Sequence, residues 1–211
     1  MYRKHIKRWL DAFLALLGII FLSWLFLILA IAIYIDDPGP IFFKQKRVGQ
    51  KRDGTQTYFY LWKMRSMRVS TPSSVPTHML ENPDAYITRV GRFIRRTSLD
   101  ELPQLFNILK GDMHIVAPRA ALWNQDDLVA EREKYGANDI RPGLTGWAQI
   151  HGRDELEIEE KARLDGYYVE HMSFWLDIKI FFLTCISVFR SDGVVEGGTG
   201  ALRKEKELAN K

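Results

Sequence analysis

Apolar and polar positions divide the chain into stretches of very different character. From Ala12 to Ile35 no residue is charged, while Arg3, Lys4, Lys7 and Arg8 precede this block and Lys44, Lys46, Arg47, Lys51 and Arg52 follow it. As a straight helix at about 1.5 Å per residue the block reaches roughly 36 Å, against a bilayer core of about 30 Å. It is too long for the apolar core of a signal sequence. No small-x-small cleavage site precedes Asp36-Asp37-Pro38-Gly39-Pro40, so the pattern predicts permanent membrane attachment. Lysine and arginine are retained on the cytoplasmic side of short flanks, and here both flanks are basic. A spanning helix would put one cluster on the wrong side, whereas a helical hairpin that dips into one leaflet and returns satisfies both. Ser23, near the midpoint, can bond a backbone carbonyl and bend the helix. The expectation is a re-entrant membrane helix over residues 1–36.

After the block the periodicity shortens. Residues 41–48 and 57–67 read as strands, with Lys51-Arg52-Asp53-Gly54-Thr55 as the turn between them, so a β-hairpin is predicted. Pro72, Pro76 and Pro83 mark residues 70–83 as a loop. Helical patterns follow at about 84–96, 101–110, 122–135 and 154–170. Ser173 to Phe189 carries only Asp177 and Lys179 as charges and suits a helix on the bilayer surface. The polar tail 191–211, with Gly193, Gly197, Gly198 and Gly200, reads as loose. The fold class is α+β, mainly helical, with one hairpin and no internal repeat. Residues 37–190 form the main domain behind the membrane element.

Composition narrows the field. A single cysteine, Cys185, excludes a disulfide framework and a cysteine-rich zinc site, and its apolar neighbours predict a packed thiol in a reducing compartment. The net charge of +4 is modest, but the basic clusters suit anionic headgroups or phosphorylated ligands. No nucleic-acid-binding motif accompanies them, so nucleic acid is not expected as a partner.

The stretch Arg95-Arg96-Thr97-Ser98-Leu99-Asp100-Glu101-Leu102-Pro103-Gln104-Leu105 is the most informative. Pro103 belongs in a first helical turn, which sets a helix start near Leu99 to Leu102 and puts Asp100 and Glu101 at its N-terminal end. Taken alone, the pair reads first as helix capping. Lys63, Arg65, Arg95, Arg96, Arg119, Arg141 and Arg153 sit in or beside turn-prone segments, and guanidinium groups converging on such an end make a phosphate site. Each arginine alone is more often a solvated charge. Ala117-Pro118-Arg119 and Arg141-Pro142-Gly143-Leu144-Thr145-Gly146-Trp147 are rigid turns that can present N–H groups, or simply corners of the fold. His151 is the one histidine near them, and a lone histidine is usually structural.

At these residues the chain resembles the monotopic phosphoglycosyl transferases, the bacterial sugar transferase family. The likeness runs from Lys7-Arg8-x-x-Asp11 to about Val195. It includes Gly39-Pro40-Ile41-Phe42-Phe43-Lys44-Gln45-Lys46-Arg47-Val48-Gly49, Trp62-Lys63-Met64-Arg65-Ser66-Met67, Ser98 to Gly111, and Arg141 through Arg153. The resemblance implies transfer of a sugar 1-phosphate from a UDP-sugar to a polyprenyl (undecaprenyl) phosphate with release of UMP, the first step of surface polysaccharide or glycan assembly. It implies a ping-pong route in which Asp100 is the nucleophile and becomes an aspartyl phosphosugar, with Glu101 completing the dyad. Mg²⁺ would be held by Asp100 and Glu101, and Lys63, Arg65, Arg95, Arg119, Arg141 and Arg153 would face substrate. It further implies a helix bent at a Ser-Pro pair, contact with membrane lipids, and a catalytic domain on the cytosolic face of the bacterial inner membrane; it leaves a homodimer open.

Three positions depart from the family pattern. Trp24 stands where proline is usual, Ala117 replaces glycine and Ala120 replaces proline. A membrane-anchored scaffold would also explain the apolar block, but not an acidic pair among arginines. A polytopic transferase would need more than one apolar segment. Asp84-Ala85-Tyr86-Ile87-Thr88 and Arg119 to Gln125 are similar to members handling N-acetylated 6-deoxyhexoses, ranked ahead of galactose and glucose.

Overall fold

The computed structural model describes residues 1–71, 83–152 and 156–190. Most of the predicted 70–83 loop and the 191–211 tail lie outside these residues. After an opening turn of π pitch at Tyr2–Ile6, the apolar block forms two helices, α1 (Lys7–Phe21) and α2 (Ser23–Asp36). Their axes meet at 60°. The break falls at Leu22 (φ −96°, ψ 7°), one residue ahead of Ser23.

No proline is needed for this bend, because the two helices follow different partners. Ala15 of α1 packs with Phe59, Leu61 and Ile108, and a Cβ on Gly18 would lie 3.2 Å from Leu105. Leu29 and Ile33 of α2 pack instead with Met64 and Ile94. Hydrogen bonding resumes across the break, with Leu22 N–H donating to Gly18 O at 2.9 Å and Phe26 N–H to Leu22 O at 3.0 Å. The outer side of the pair exposes Trp9, Phe13, Ile20, Phe21, Trp24, Leu27, Ile31 and Ile35. Among the described residues no single helix is long and apolar enough to cross a membrane, although the bent pair together passes by length and composition.

The hairpin consists of β1 (Phe42–Arg52) and β2 (Thr55–Met64), antiparallel, with a bulge between Val48 and Lys51. Its turn residues Asp53 (φ 49°) and Gly54 (φ 75°) both have positive φ, the two-residue turn whose twist matches that of paired strands. Phe59 and Leu61 point into the core, while the outer face carries Lys44 over the Trp62 ring and Lys46 over the Tyr58 ring.

The helix expected over 84–96 is split into α3 (Pro83–Tyr86) and α4 (Arg89–Arg96). Ile87 pairs with Met67, and Thr88 caps α4 by accepting the Gly91 N–H at 2.9 Å. A Cβ on Gly91 would lie 1.9 Å from the Ser66 carbonyl, so only glycine allows this approach. The remaining elements are α5 (Gln104–Lys110), β3 (His114–Val116), α6 (Asp126–Glu133), β4 (Gly143–Thr145), α7 (Trp147–Ile150), α8 (Ile158–His171) and α9 (Phe174–Arg190). The fold is thus mixed and mostly helical. β3 and β4 form a second, parallel two-stranded ladder that the sequence pattern did not foretell.

Two of the flanking cations turn into the protein, Lys7 fully and Arg8 in part. Lys7 is 0% exposed and ion-paired with Asp177 on α9. Asp177 also accepts the Tyr2 hydroxyl at 2.6 Å and lies 2.7 Å from that of Tyr168. Asp11 accepts Nδ1 of buried His114 at 2.6 Å. Arg8 donates to the carbonyls of Ile108 and Leu109, both at 2.7 Å, and so caps the C-terminus of α5. Their expected place beside anionic headgroups gives way to roles inside the protein. Cys185 is half-buried on α9.

Candidate active site

The acidic pair is delivered by an unusual turn. Ser98 has φ 56°, a left-handed conformation that is costly outside glycine and tends to persist where the surroundings enforce it. It leads into a single 3₁₀ turn, Leu99–Glu101, after which Leu102 and Pro103 (φ −61°) bring the chain to α5. The helix therefore starts at Gln104, later than the expected Leu99 to Leu102, because the tighter turn comes first. Gly111 (φ 101°) stops it as expected.

Three cations converge on the pair from separate elements. Lys63 stands on the inward face of β2 with Phe59 and Leu61, as the two-residue period requires. Its Nζ lies 3.1 Å from Glu101 Oε1 and 3.6 Å from Asp100 Oδ2. Arg119, in the loop after β3, grips both oxygens of Glu101, with Nη2 on Oε1 and Nη1 on Oε2 at 3.1 Å. Arg119 also donates to Leu144 O at 3.2 Å. The loop is held by Gly143, whose N–H donates to Pro118 O at 2.8 Å; a Cβ there would meet the Ala117 nitrogen at 2.3 Å. Arg95 of α4 donates Nε to Ser66 Oγ at 2.7 Å and contributes positive potential at Asp100.

The two carboxyls are driven apart. Burial pushes Glu101 up, but Arg119 and Lys63 outweigh it and hold the group far below the usual carboxylate range. Burial lifts Asp100 above its ordinary value; Lys63, Arg95 and Arg119 oppose the rise, Glu101 adds to it, and the net shift is upward. Glu101 is thus a fixed anion saturated by donors. Asp100 is a desolvated carboxyl with the Lys63 ammonium 3.6 Å away. Two carboxyls in such contrasting surroundings are equipped for different roles.

Of the six expected substrate-binding cations, Lys63, Arg95 and Arg119 gather at the pair. Arg65 does not. It is buried with its guanidinium on Asp37, Nη1 to Oδ2 at 2.9 Å and Nη2 to the backbone carbonyl, so it fastens the end of α2. Arg141 is also elsewhere: its charged neighbours are Arg8, Arg52, Asp112 and Asp11. Arg153 lies outside the described residues. His151 is exposed and rests on the Trp147 ring at 4.2 Å between centroids, its Nδ1 bonded to Trp147 O.

Sequence reasoning missed the residues that set the spacing. Asn107 of α5 accepts the Trp62 N–H at 3.0 Å and donates to Tyr60 O at 2.8 Å, locking α5 to β2. A polar residue inside an otherwise apolar helical stripe was the available signal. Gln104, 1% exposed, was missed for the same reason. Among the described residues no group of three or more His, Cys, Asp or Glu side chains is placed to hold a metal ion. Among the described residues Asp100 and Glu101 are the carboxyls at this point, and Mg²⁺ commonly binds one or two carboxylates plus substrate phosphates. Glu101 already has both oxygens engaged, so Asp100 is the better placed of the two.

The family model described as bacterial sugar transferase matches residues 2–191. The chain is 40% identical over 199 residues to the UDP-glucose:undecaprenyl-phosphate glucose-1-phosphate transferase of Escherichia coli (strain K12), covering 88% of this chain and 40% of that protein. It is 37% identical over 195 residues to the UDP-N-acetylgalactosamine-undecaprenyl-phosphate N-acetylgalactosaminephosphotransferase of Aeromonas hydrophila, covering 89% and 44%. With the uncharacterized sugar transferase EpsL of Bacillus subtilis (strain 168) the identity is 37% over 189 residues, covering 90% of each. The chain thus spans less than half the length of the first two relatives.

Proposed function

The chain belongs to the bacterial sugar transferase family, and on that premise we propose that it moves a sugar 1-phosphate from a UDP-sugar to polyprenyl phosphate, releasing UMP. The carrying observation is the division of labour in the acidic pair. Glu101, clamped by Lys63 and Arg119, fixes those cations where a diphosphate needs neutralising. Asp100, buried and less closely paired, is the nucleophile. Its carboxylate attacks the sugar-bearing phosphorus and forms an aspartyl phosphosugar, UMP leaves, and polyprenyl phosphate then takes the phosphosugar. Asp100, with Glu101 alongside, would hold Mg²⁺, whose chemistry there is to neutralise diphosphate charge. Such a transfer would be the first step of surface polysaccharide or glycan assembly.

The reading extends to the membrane. The bend at Leu22 and the exposed apolar side of α1 and α2 support re-entry into one leaflet. So do the tethers at both ends of the pair: Lys7 and Arg8 grip α9 and α5, while Asp36 accepts the Val90 N–H at 2.8 Å and Asp37 holds Arg65. Both ends would then lie on the cytosolic side of the bacterial inner membrane, with the catalytic domain. The sugar is the open choice. The relatives described above carry glucose or N-acetylgalactosamine in their names, whereas the chain's own motifs favour an N-acetylated 6-deoxyhexose.

Incubating the protein with a panel of UDP-sugars in the absence of lipid acceptor tests the proposal. A stoichiometric release of UMP from one donor is expected. No release from any donor, with turnover appearing only when acceptor is added, would reject the ping-pong route; no turnover under either condition would favour a scaffold.

A further inference from the structure

Arg141 is half-buried, and among the described residues its guanidinium makes no hydrogen bond and no ion pair; its Nε is buried without a partner. A partly desolvated cation with unmet donors is costly, and native proteins rarely keep one without a use for it. Separate tethers add positive charge at the same corner. The ladder of β3 and β4 pairs His114 with Gly143, so two residues back Arg141 stands level with Asp112. Arg8 reaches this point from α1: it caps α5 at Ile108 and Leu109, and its Nη2 lies 3.2 Å from where a Cβ on Gly111 would be. The end of β1 is drawn in as well. Gln50 donates to Asp139 O at 2.8 Å and Lys51 pairs with Glu133, which brings the exposed Arg52 alongside. The two carboxylates near Arg141 are already engaged, Asp112 with Lys110 at 3.1 Å and Asn107 at 3.2 Å, and Asp11 with His114 and Lys7. Burial first, then Arg8 and Arg52, lower Arg141 from the ordinary guanidinium value, against the pull of Asp112 and Asp11.

We propose that Arg141, with Arg8 beside it and Arg52 at the rim, is a second anion site, which takes a phosphate group by two of its unesterified oxygens. A planar guanidinium meets such a pair of oxygens with two parallel N–H bonds, and Arg8 has donors left after serving the two carbonyls. The site is apart from the acidic pair. Arg8 stands at the C-terminal end of α5 and Asp100 ahead of its N-terminal end, roughly 10 Å off at about 1.5 Å per residue. The site therefore goes beyond the transfer proposed above, in which the donor's phosphates meet Lys63 and Arg119. Two sources offer the same chemistry. Trp9, 79% exposed, follows Arg8 directly and continues into the apolar side of α1, which suits a phospholipid headgroup; soluble phosphate is the other source.

The test uses the full chain in detergent at constant ionic strength and follows thermal unfolding of the parent, Arg141→Gln and Arg141→Lys. One probe is inorganic phosphate. The other is micelles carrying phosphatidylglycerol, compared with phosphatidylcholine, whose own ammonium neutralises its phosphate. The parent should unfold about 3–6 °C higher at about ten times the probe's dissociation constant. A rise with inorganic phosphate identifies the soluble source, and a rise with phosphatidylglycerol alone identifies the headgroup. In either case Arg141→Gln should lose the rise and Arg141→Lys, which keeps the charge without the fork, should retain part of it. Without probe, Arg141→Gln should unfold at or above the parental temperature, since it sheds an unpaired cation beside two others. No rise with either probe overturns the proposal. So does a rise of parental size in Arg141→Gln, which would put the phosphate at Lys63 and Arg119 instead. An Arg141→Gln protein that fails to fold, or unfolds well below the parent, overturns it too, since either makes Arg141 structural.

Discussion

The ammonium of Lys7 is ion-paired with Asp177, so the first turn of α1 and the first turn of α9 share one buried charge cluster. Asp11, at 3.8 Å, is the second carboxylate on the same cation. Tyr2 shares Asp177 Oδ2 with the lysine, Tyr168 donates to Asp177 Oδ1, and His114 bonds Asp11 Oδ2.

Removing Lys7 should therefore cost more than removing an exposed lysine. Lys7→Met leaves two buried carboxylates without their cation, a loss of about 3–5 kcal/mol. Lys7→Met combined with Asp177→Leu should recover part of it. Chemical denaturation in detergent checks both, and a Lys7→Met protein as stable as the parent refutes the assignment.

His114 makes stability sensitive to acid. Burial first, then the cations Lys7 and Arg141, hold its imidazole below the ordinary 6.5, against the pull of Asp11. The unfolded chain therefore takes up a proton at about 6.5 that the folded one resists. Stability from this group is full above that pH and falls as the pH drops below it. Unfolding temperatures measured from pH 7.5 downward should decline from about 6.5, and His114→Gln should flatten the decline.

Asp100→Asn should release no UMP, since an amide cannot form the acyl phosphate, and the loss should exceed the 10²–10⁴-fold typical of a missing general base. Near-normal turnover removes Asp100 from the nucleophile role. Glu101→Gln should be severely impaired without a fall in protein abundance.

Arg119→Lys should behave as a damaging change even though it keeps the charge. Arginine meets both oxygens of Glu101 and the Leu144 carbonyl, and a point charge cannot span that fork. A loss of UMP-release rate of at least about tenfold is expected, consistent with one bidentate contact of roughly 1.5–3 kcal/mol. An unchanged rate would mean that the clamp is dispensable.

Exhaustive chelation should abolish turnover, and Mg²⁺ should restore it. Full activity in the chelated protein would refute the metal requirement and leave neutralisation to side-chain cations such as Lys63, Arg95 and Arg119.

Much of the fold was legible in the sequence, because its elements answer to local rules. Asp53-Gly54 dictates a two-residue turn, and Gly111 ends α5 where a left-handed residue is needed. What escaped was set by partners distant in sequence. The bend at Leu22 was expected to need proline or the Ser23 hydroxyl, yet it accompanies a change of packing partner between α1 and α2. Arg65 looks like Lys63 in sequence, but it turns to Asp37, which lies 28 positions away. Lys7 and Arg8 read as flanking charges because nothing local announces Asp177 or the end of α5. At the candidate site the pair and three of its cations were legible. The stripe that spaces them was not, since buried Gln104 and Asn107 have no signature outside the helix that holds them.

The hairpin tip bears on how the protein can be handled. Gln50 and Lys51 tie the strands to Asp139 and Glu133 just before the turn, and a Cβ on Gly54 would meet nothing within 4 Å. At about 3.4 Å per residue, β2 carries Lys63 roughly 30 Å away from that turn. An epitope tag or a fluorescent label grafted between Asp53 and Gly54 would stand clear of the chemistry, leaving an attachment point for capture or imaging that interrupts neither chain terminus.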